Sequence, residues 1–221
     1  VPEQKKALAQ IIKDYVSNGG FLFAMCSATD SFDIALATLG LDVAHPVYDG
    51  TPVDKDSNDK INYNNSLAFY NFDIITDPMV YEYSDIDYPP SNNVVVRGAE
   101  ADYFSLFEFS AKYDPVPTML TQNHVGVIKG FMGQTTGFDR EKIKKHVLIL
   151  GEDKTTPQVK YLHGNIGQGT FTFLGGHDPE DYQHYVGDPQ TDLSLHRNSP
   201  GYRLILNNIL FPAARKKERK T

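Results

Sequence analysis

Gly19-Gly20-Phe21-Leu22-Phe23-Ala24-Met25-Cys26-Ser27-Ala28-Thr29-Asp30 is the stretch from which the fold reads outward. Phe21 to Met25 is a continuous apolar run bounded by glycines, the pattern of a strand buried on both faces. Ser27, Thr29 and Asp30 then offer capping side chains for a helix expected from about Ser31 to Leu39, with Gly40 as its stop. Upstream, Ala7, Ile11, Ile12, Tyr15 and Val16 recur at helical spacing, and Asn18-Gly19-Gly20 closes that helix. Helix, buried strand, helix is the rhythm of a layered α/β sheet with mainly parallel strands.

A second stretch, Gly167-Gln168-Gly169 through Leu174-Gly175-Gly176-His177-Asp178-Pro179-Glu180-Asp181, reads the same way. Thr170 to Leu174 is a strand, paired in a hairpin with Val159 to His163 across Gly164 to Gly169. Sites in open α/β sheets form outside the carboxyl ends of strands, so Cys26 and His177 are expected to face one pocket. His146 to Leu150, Phe69 to Ile75, Asn93 to Arg97 and Pro117 to Thr121 are further expected strands, while Tyr103 to Phe109 is ambiguous. Asp42 to Asn65 reads as a long surface excursion, Gly126 to Phe138 as a hairpin or a loop over the site, and Pro200 to Leu210 as a closing helix. Because the chain opens on a helix, earlier strands are expected upstream of Val1.

The 221 residues fit one α/β domain, 1–214, followed by a basic tail, 215–221. A net charge of −7 argues against a nucleic-acid surface, and no apolar run approaches the roughly 18 residues that cross a bilayer. Cys26 is the only cysteine, so neither an intramolecular disulfide nor a cysteine-rich zinc site can form.

Four constellations carry candidate chemistry. Cys26, His177 and either Glu180 or Asp178 have the composition of a nucleophile, base and orienting acid; the plainer alternative is a packed thiol. His177, Asp181 and His184, followed by Asp188, Asp192 and His196, are donors suited to a divalent metal, although their spacing fits no closed motif and such residues also make turns. Thr29 and Asp30 either cap the following helix or, with Asp178, bind a ligand at the strand ends. Tyr48, Tyr63, Tyr70, Tyr81 and Tyr83, with Asn64 and Asn65, could stack on sugar rings or serve the core. His45, His124, His146 and His163 read as structural.

The two quoted blocks, Gly19 to Phe32 and Gly167 to Pro212, resemble the trehalose-utilisation (ThuA-like) family. That resemblance implies the class I glutamine-amidotransferase-like, flavodoxin-like fold with a C-terminal hairpin and closing helix. It also implies a role in carbohydrate metabolism, with a sugar-type ligand at the strand ends. The chain is similar, too, to bacterial cell-envelope proteins sometimes labelled asparagine synthetase B, which implies an extracytoplasmic setting, with a cytoplasmic one as alternative. That second likeness implies a catalytically silent binding or assembly role in the envelope, and the place of Cys26, where amidotransferases of this fold carry their Cys nucleophile, gives a Cys-dependent hydrolase or amidotransferase as a further alternative. Cys26 departs from the ThuA pattern, which usually has His there. The amidotransferase elbow carries Gly-x-Cys-x-Gly, and the neighbours Ala24 and Ala28 argue against a strained turn.

Overall fold

The computed structural model describes residues 2–80, 82–88, 102–107, 125–181 and 187–210. Along the chain run α1 (Pro2–Ser17), β1 (Phe21–Met25), α2 (Ala28–Ala37) and the short α3 (Pro46–Asp49). Then come β2 (Phe104–Leu106), β3 (Val127–Ile128), β4 (Phe138–Asp139), β5 (Leu148–Glu152), β6 (Gln158–Ile166), β7 (Gly169–Leu174) and α4 (Pro200–Leu210). The expected strands at 93–97 and 117–121, and the basic tail, lie outside the described residues.

The strands form one seven-stranded sheet in the order β1-β7-β6-β5-β2-β3, with β4 also pairing β6. Among the described residues only β1 and β7 run parallel, from Phe21 opposite Thr170 to Met25 opposite Leu174. The other pairings are antiparallel. The expectation of a mainly parallel, flavodoxin-like amidotransferase sheet is therefore corrected to a mixed, mostly antiparallel one. The cause is connection length: parallel neighbours need a crossover of a dozen or more residues, whereas β6 and β7 are joined by Gly167 and Gln168 alone. Where a further strand is expected, at Phe69 to Ile75, the chain makes only isolated bridges, Phe69 with Ile143 and Ile74 with Ser84.

The unbroken apolar run of β1 predicts full burial, but β1 stands at the end of the strand order, where Ala24 is buried and its neighbours are half-buried, with packing on either face. Leu22 and Ala24 pack with Ile34, Leu36 and Ala37 of α2 and with Phe171 and Phe173 of β7. Phe23 and Met25 point the other way, toward Phe131, Leu174 and Leu204 of α4. Phe173 sits within ring-stacking range of both Phe171 and Phe69, at centroid separations of 5.1 and 6.0 Å. Asp33 of α2 fastens the segment just beyond the 42–65 excursion, accepting the backbone N–H groups of Leu67, Ala68 and Phe69 at 2.6, 2.7 and 2.9 Å. Burial pushes its carboxyl up to about 6 against the pull of those three donors. The fold thus lays β1 beside β7, and the ends of both strands open at one place.

Candidate active site at the strand ends

Cys26 follows β1 directly and adopts φ +54, in the left-handed region that non-glycine residues avoid. Three neighbours hold it there. Its N–H extends the parallel ladder by donating to the Leu174 carbonyl at 3.0 Å. Its carbonyl accepts both the N–H and the hydroxyl of Thr29, at 3.0 and 2.7 Å. Its Sγ accepts the N–H of Gln134 at 3.1 Å. The strained strand-to-helix turn therefore exists without the flanking glycines, because α2 begins at Ala28 rather than near Ser31 and brings Thr29 under the turn. The thiol is half-buried, not sealed in the core.

The segment Phe131 to Gly137 crosses over the strand ends. Met132 bridges Asp178, donating its N–H to the Asp178 carbonyl at 2.8 Å and accepting the His177 N–H at 2.7 Å. Gly176, at φ +74, donates to the Thr135 carbonyl at 2.7 Å and turns the chain out of β7. Gly133 lies between the two functional side chains. A Cβ built on it would stand 2.7 Å from Cys26 Sγ and 3.0 Å from His177 Nδ1, so thiol and imidazole converge on the space of one methyl group. His177 is exposed, and among the described residues no hydrogen bond joins its ring to the sulfur.

Beneath this surface lies a buried carboxyl pair. Asp30, fully buried one helical turn beyond Cys26, does not line the open face. Thr135 Oγ1 stands 3.3 Å from Asp30 Oδ1 and 3.4 Å from Oδ2 of Asp87, which is brought alongside by the bridge between Asp87 and Phe138. Asp30 Oδ2, Asp87 Oδ1 and Glu82 Oε2 are buried without partners among the described residues. Burial raises both aspartates, Asp30 to about 7 and Asp87 to about 9; the mutual repulsion of the pair and nearby Glu82 add to the rise at Asp87.

The other sequence-derived candidates have different work. Asp178 accepts from the N–H groups of Glu180 and Asp181, from Thr191 and from the Tyr202 hydroxyl, between 2.9 and 3.2 Å. Burial works to raise its carboxyl, but those donors outweigh it and hold it below the usual range. Glu180 faces His196, 3.7 Å away, rather than being left to orient His177. Asp181 stands beside Asp178, His184 lies outside the described residues, and among those described no cluster of three His, Cys, Asp or Glu is placed to hold a metal. Tyr63 spends its hydroxyl on the Phe72 carbonyl at 2.7 Å. A groove of about 240 Å³ along β2 and β5, lined by Leu106, Phe107, Leu150 and Lys154 among others, lies apart from Cys26. Gly133, Gln134, Thr135 and Asp87 were not singled out from sequence; the glycine spacing of 130–137 was the available signal, and Asp87 had none.

Fold and site together define a mixed α/β protein that presents a half-buried cysteine at a strand-to-helix elbow beside an exposed histidine. The chain matches no protein-family model, no curated protein and no solved structure. No helix among the described residues is long and apolar enough to cross a membrane.

Proposed function

We propose that the protein is a cysteine-dependent hydrolase or acyl transferase, with Cys26 as nucleophile and His177 as its base. The observation that carries this reading is Cys26 held at φ +54 while its Sγ and His177 Nδ1 share the space beside Gly133. A strained elbow between strand and helix lifts a nucleophile clear of the sheet, and such strain persists only where surrounding bonds impose it. Leu174, Thr29 and Gln134 impose it here. The family resemblance implies a sugar-type ligand, but its usual His is replaced by Cys26, and that residue directs the chemistry to acyl groups.

In the proposed reaction the imidazole takes the thiol proton and Sγ adds to the carbonyl carbon of an ester or amide. The resulting oxyanion is met by the N-terminal end of α2. Collapse expels the alcohol or amine, which leaves with the proton from His177. Water, deprotonated by the same imidazole, then cleaves the thioester and regenerates the thiol. With Asp178 and Glu180 engaged elsewhere, this is a dyad.

An activated aryl ester tests the reading. We expect a burst of aryl alcohol equal to the protein concentration, an acyl group on the Cys26 peptide by mass spectrometry, and loss of at least about 100-fold in acylation rate in His177→Ala, the scale of general-base catalysis. Acylation of Cys26 that is indifferent to His177 contradicts it.

A further inference from the structure

Hydrogen-bond counting at the buried pair leaves one proton to be placed. Thr135 carries a single hydroxyl hydrogen, yet its Oγ1 lies 3.3 Å from Asp30 Oδ1 and 3.4 Å from Asp87 Oδ2. A hydroxyl that donates to one carboxylate can accept from the other only if that other is a carboxylic acid. Two ionised carboxyls here would also leave Asp30 Oδ2 and Asp87 Oδ1 as bare acceptors, with Glu82 Oε2 beside them, in a space that is 0% exposed at Asp30 and 6% at Asp87. An unpaired buried charge is far costlier than a neutral acid.

Which side holds the proton follows from the surroundings. The backbone N–H groups of Asp30 and Ser31 at the start of α2 favour the ionised form of Asp30. Asp87 has no such donors and faces Glu82 as well as Asp30. Asp33 is the remaining charged neighbour of Asp30, and Lys144 acts on Asp33.

We infer that Asp87, Thr135 and Asp30 form a relay that holds one carboxyl proton, from Asp87 to Thr135 to Asp30, and that this proton locks the Gly133–Thr135 segment against Cys26. Thr135 follows directly on Gln134, whose N–H meets Sγ, and Asp30 lies one turn along the helix from the elbow. Thr135 and Asp87 are thus positioning residues for the nucleophile. Their role as such rests on the acyl-transfer reading above, whereas the shared proton does not.

The test pairs stability with amide exchange. Asp87 keeps in the folded state a proton that the unfolded chain has released above the ordinary value of 3.8, so its contribution to stability falls as pH rises toward about 9. Between pH 7 and 8.5, above the Asp30 value and below that of Asp87, the folding constant of the wild type is expected to fall, relative to Asp87→Asn, by about tenfold per pH unit, since Asn supplies the same donor without titrating. The protection factor of the Gln134 amide, read by NMR over pH 6 to 10, should collapse above pH 9 in the wild type and persist in Asp87→Asn. Thr135→Val should lower it at every pH, and Thr135→Ser should restore it. Equal pH slopes for the wild type and Asp87→Asn overturn the shared proton. A changed slope with Gln134 protection indifferent to both variants overturns the lock. If both readouts behave as expected while Cys26 proves unreactive to the aryl ester, the relay stands and the acyl-transfer reading falls.

Discussion

Cys26 holds a left-handed backbone without the glycines that usually permit it. The cost of such a conformation is on the order of 1–3 kcal/mol, and the hydrogen bonds that offset it come from residues with other names in the sequence. Thr29 looked like a helix cap; it lies in the first turn of α2 and binds the Cys26 carbonyl twice. Thr29→Val, which removes only the hydroxyl bond, should cost about 0.5–1.5 kcal/mol in urea unfolding and slow Cys26 acylation. Gly133 was legible as a loop glycine, but the reason for it was not. In Gly133→Ala the added methyl would crowd Cys26 Sγ, His177 Nδ1 and the Gly176 backbone, and acylation of Cys26 should fall about tenfold or more, with a lower melting temperature. Unchanged acylation would show that the two side chains do not act together. Asp87 left no trace in the sequence, because a buried acid is recognised by what surrounds it and those partners are distant along the chain.

Elements were read well where periodicity and glycine agreed. Thr170 to Leu174 is β7 less its first residue, and the closing helix runs from Pro200 to Leu210 as expected. The hairpin turn proved tighter, since β6 continues to Ile166. After β7 the chain is fixed by Asp178, which ties Glu180, Asp181, Thr191 and Tyr202 into one staple and holds the His177 segment steady. Bonds to a charged group are worth about 1.5–3 kcal/mol, so Asp178→Asn should lose on that order at pH 7. Because the folded carboxyl titrates below its unfolded value of 3.8, the stabilisation is complete above that pH and disappears as pH falls through the folded value. Urea melts at pH 7 and pH 2.5 check this, with the gap between wild type and variant expected to close at the lower pH.

For the whole molecule, the parallel expectation failed through over-extension of a local signal. Helix, strand and helix at the amino end did read correctly, and β1 does pair in parallel, but with a strand some 150 residues later rather than with its chain neighbour. Long-range pairing of this kind has no local signature, whereas the short turns of the last third are the local mark of antiparallel strands. The consequence for the proposal is direct: Cys26 and His177 lie far apart in the sequence and are brought together by the β1–β7 ladder and the segment from Phe131 to Gly137. Phe173→Ala, which empties the core at the middle of that ladder, should cost about 3–5 kcal/mol. Cys26 acylation in that variant should disappear together with the folded signal on heating.

The acyl-transfer proposal requires that this fold activate a thiol which would otherwise be ordinary. Its most direct measurement is the rate of Cys26 alkylation by iodoacetamide at pH 7, in the native protein and in the same chain unfolded in urea, since the sole cysteine makes every label report on one site. An activated elbow gives a native rate above the unfolded one, and His177→Ala removes the difference. A native rate at or below that of the unfolded chain would mean a packed, inert thiol and would contradict the account.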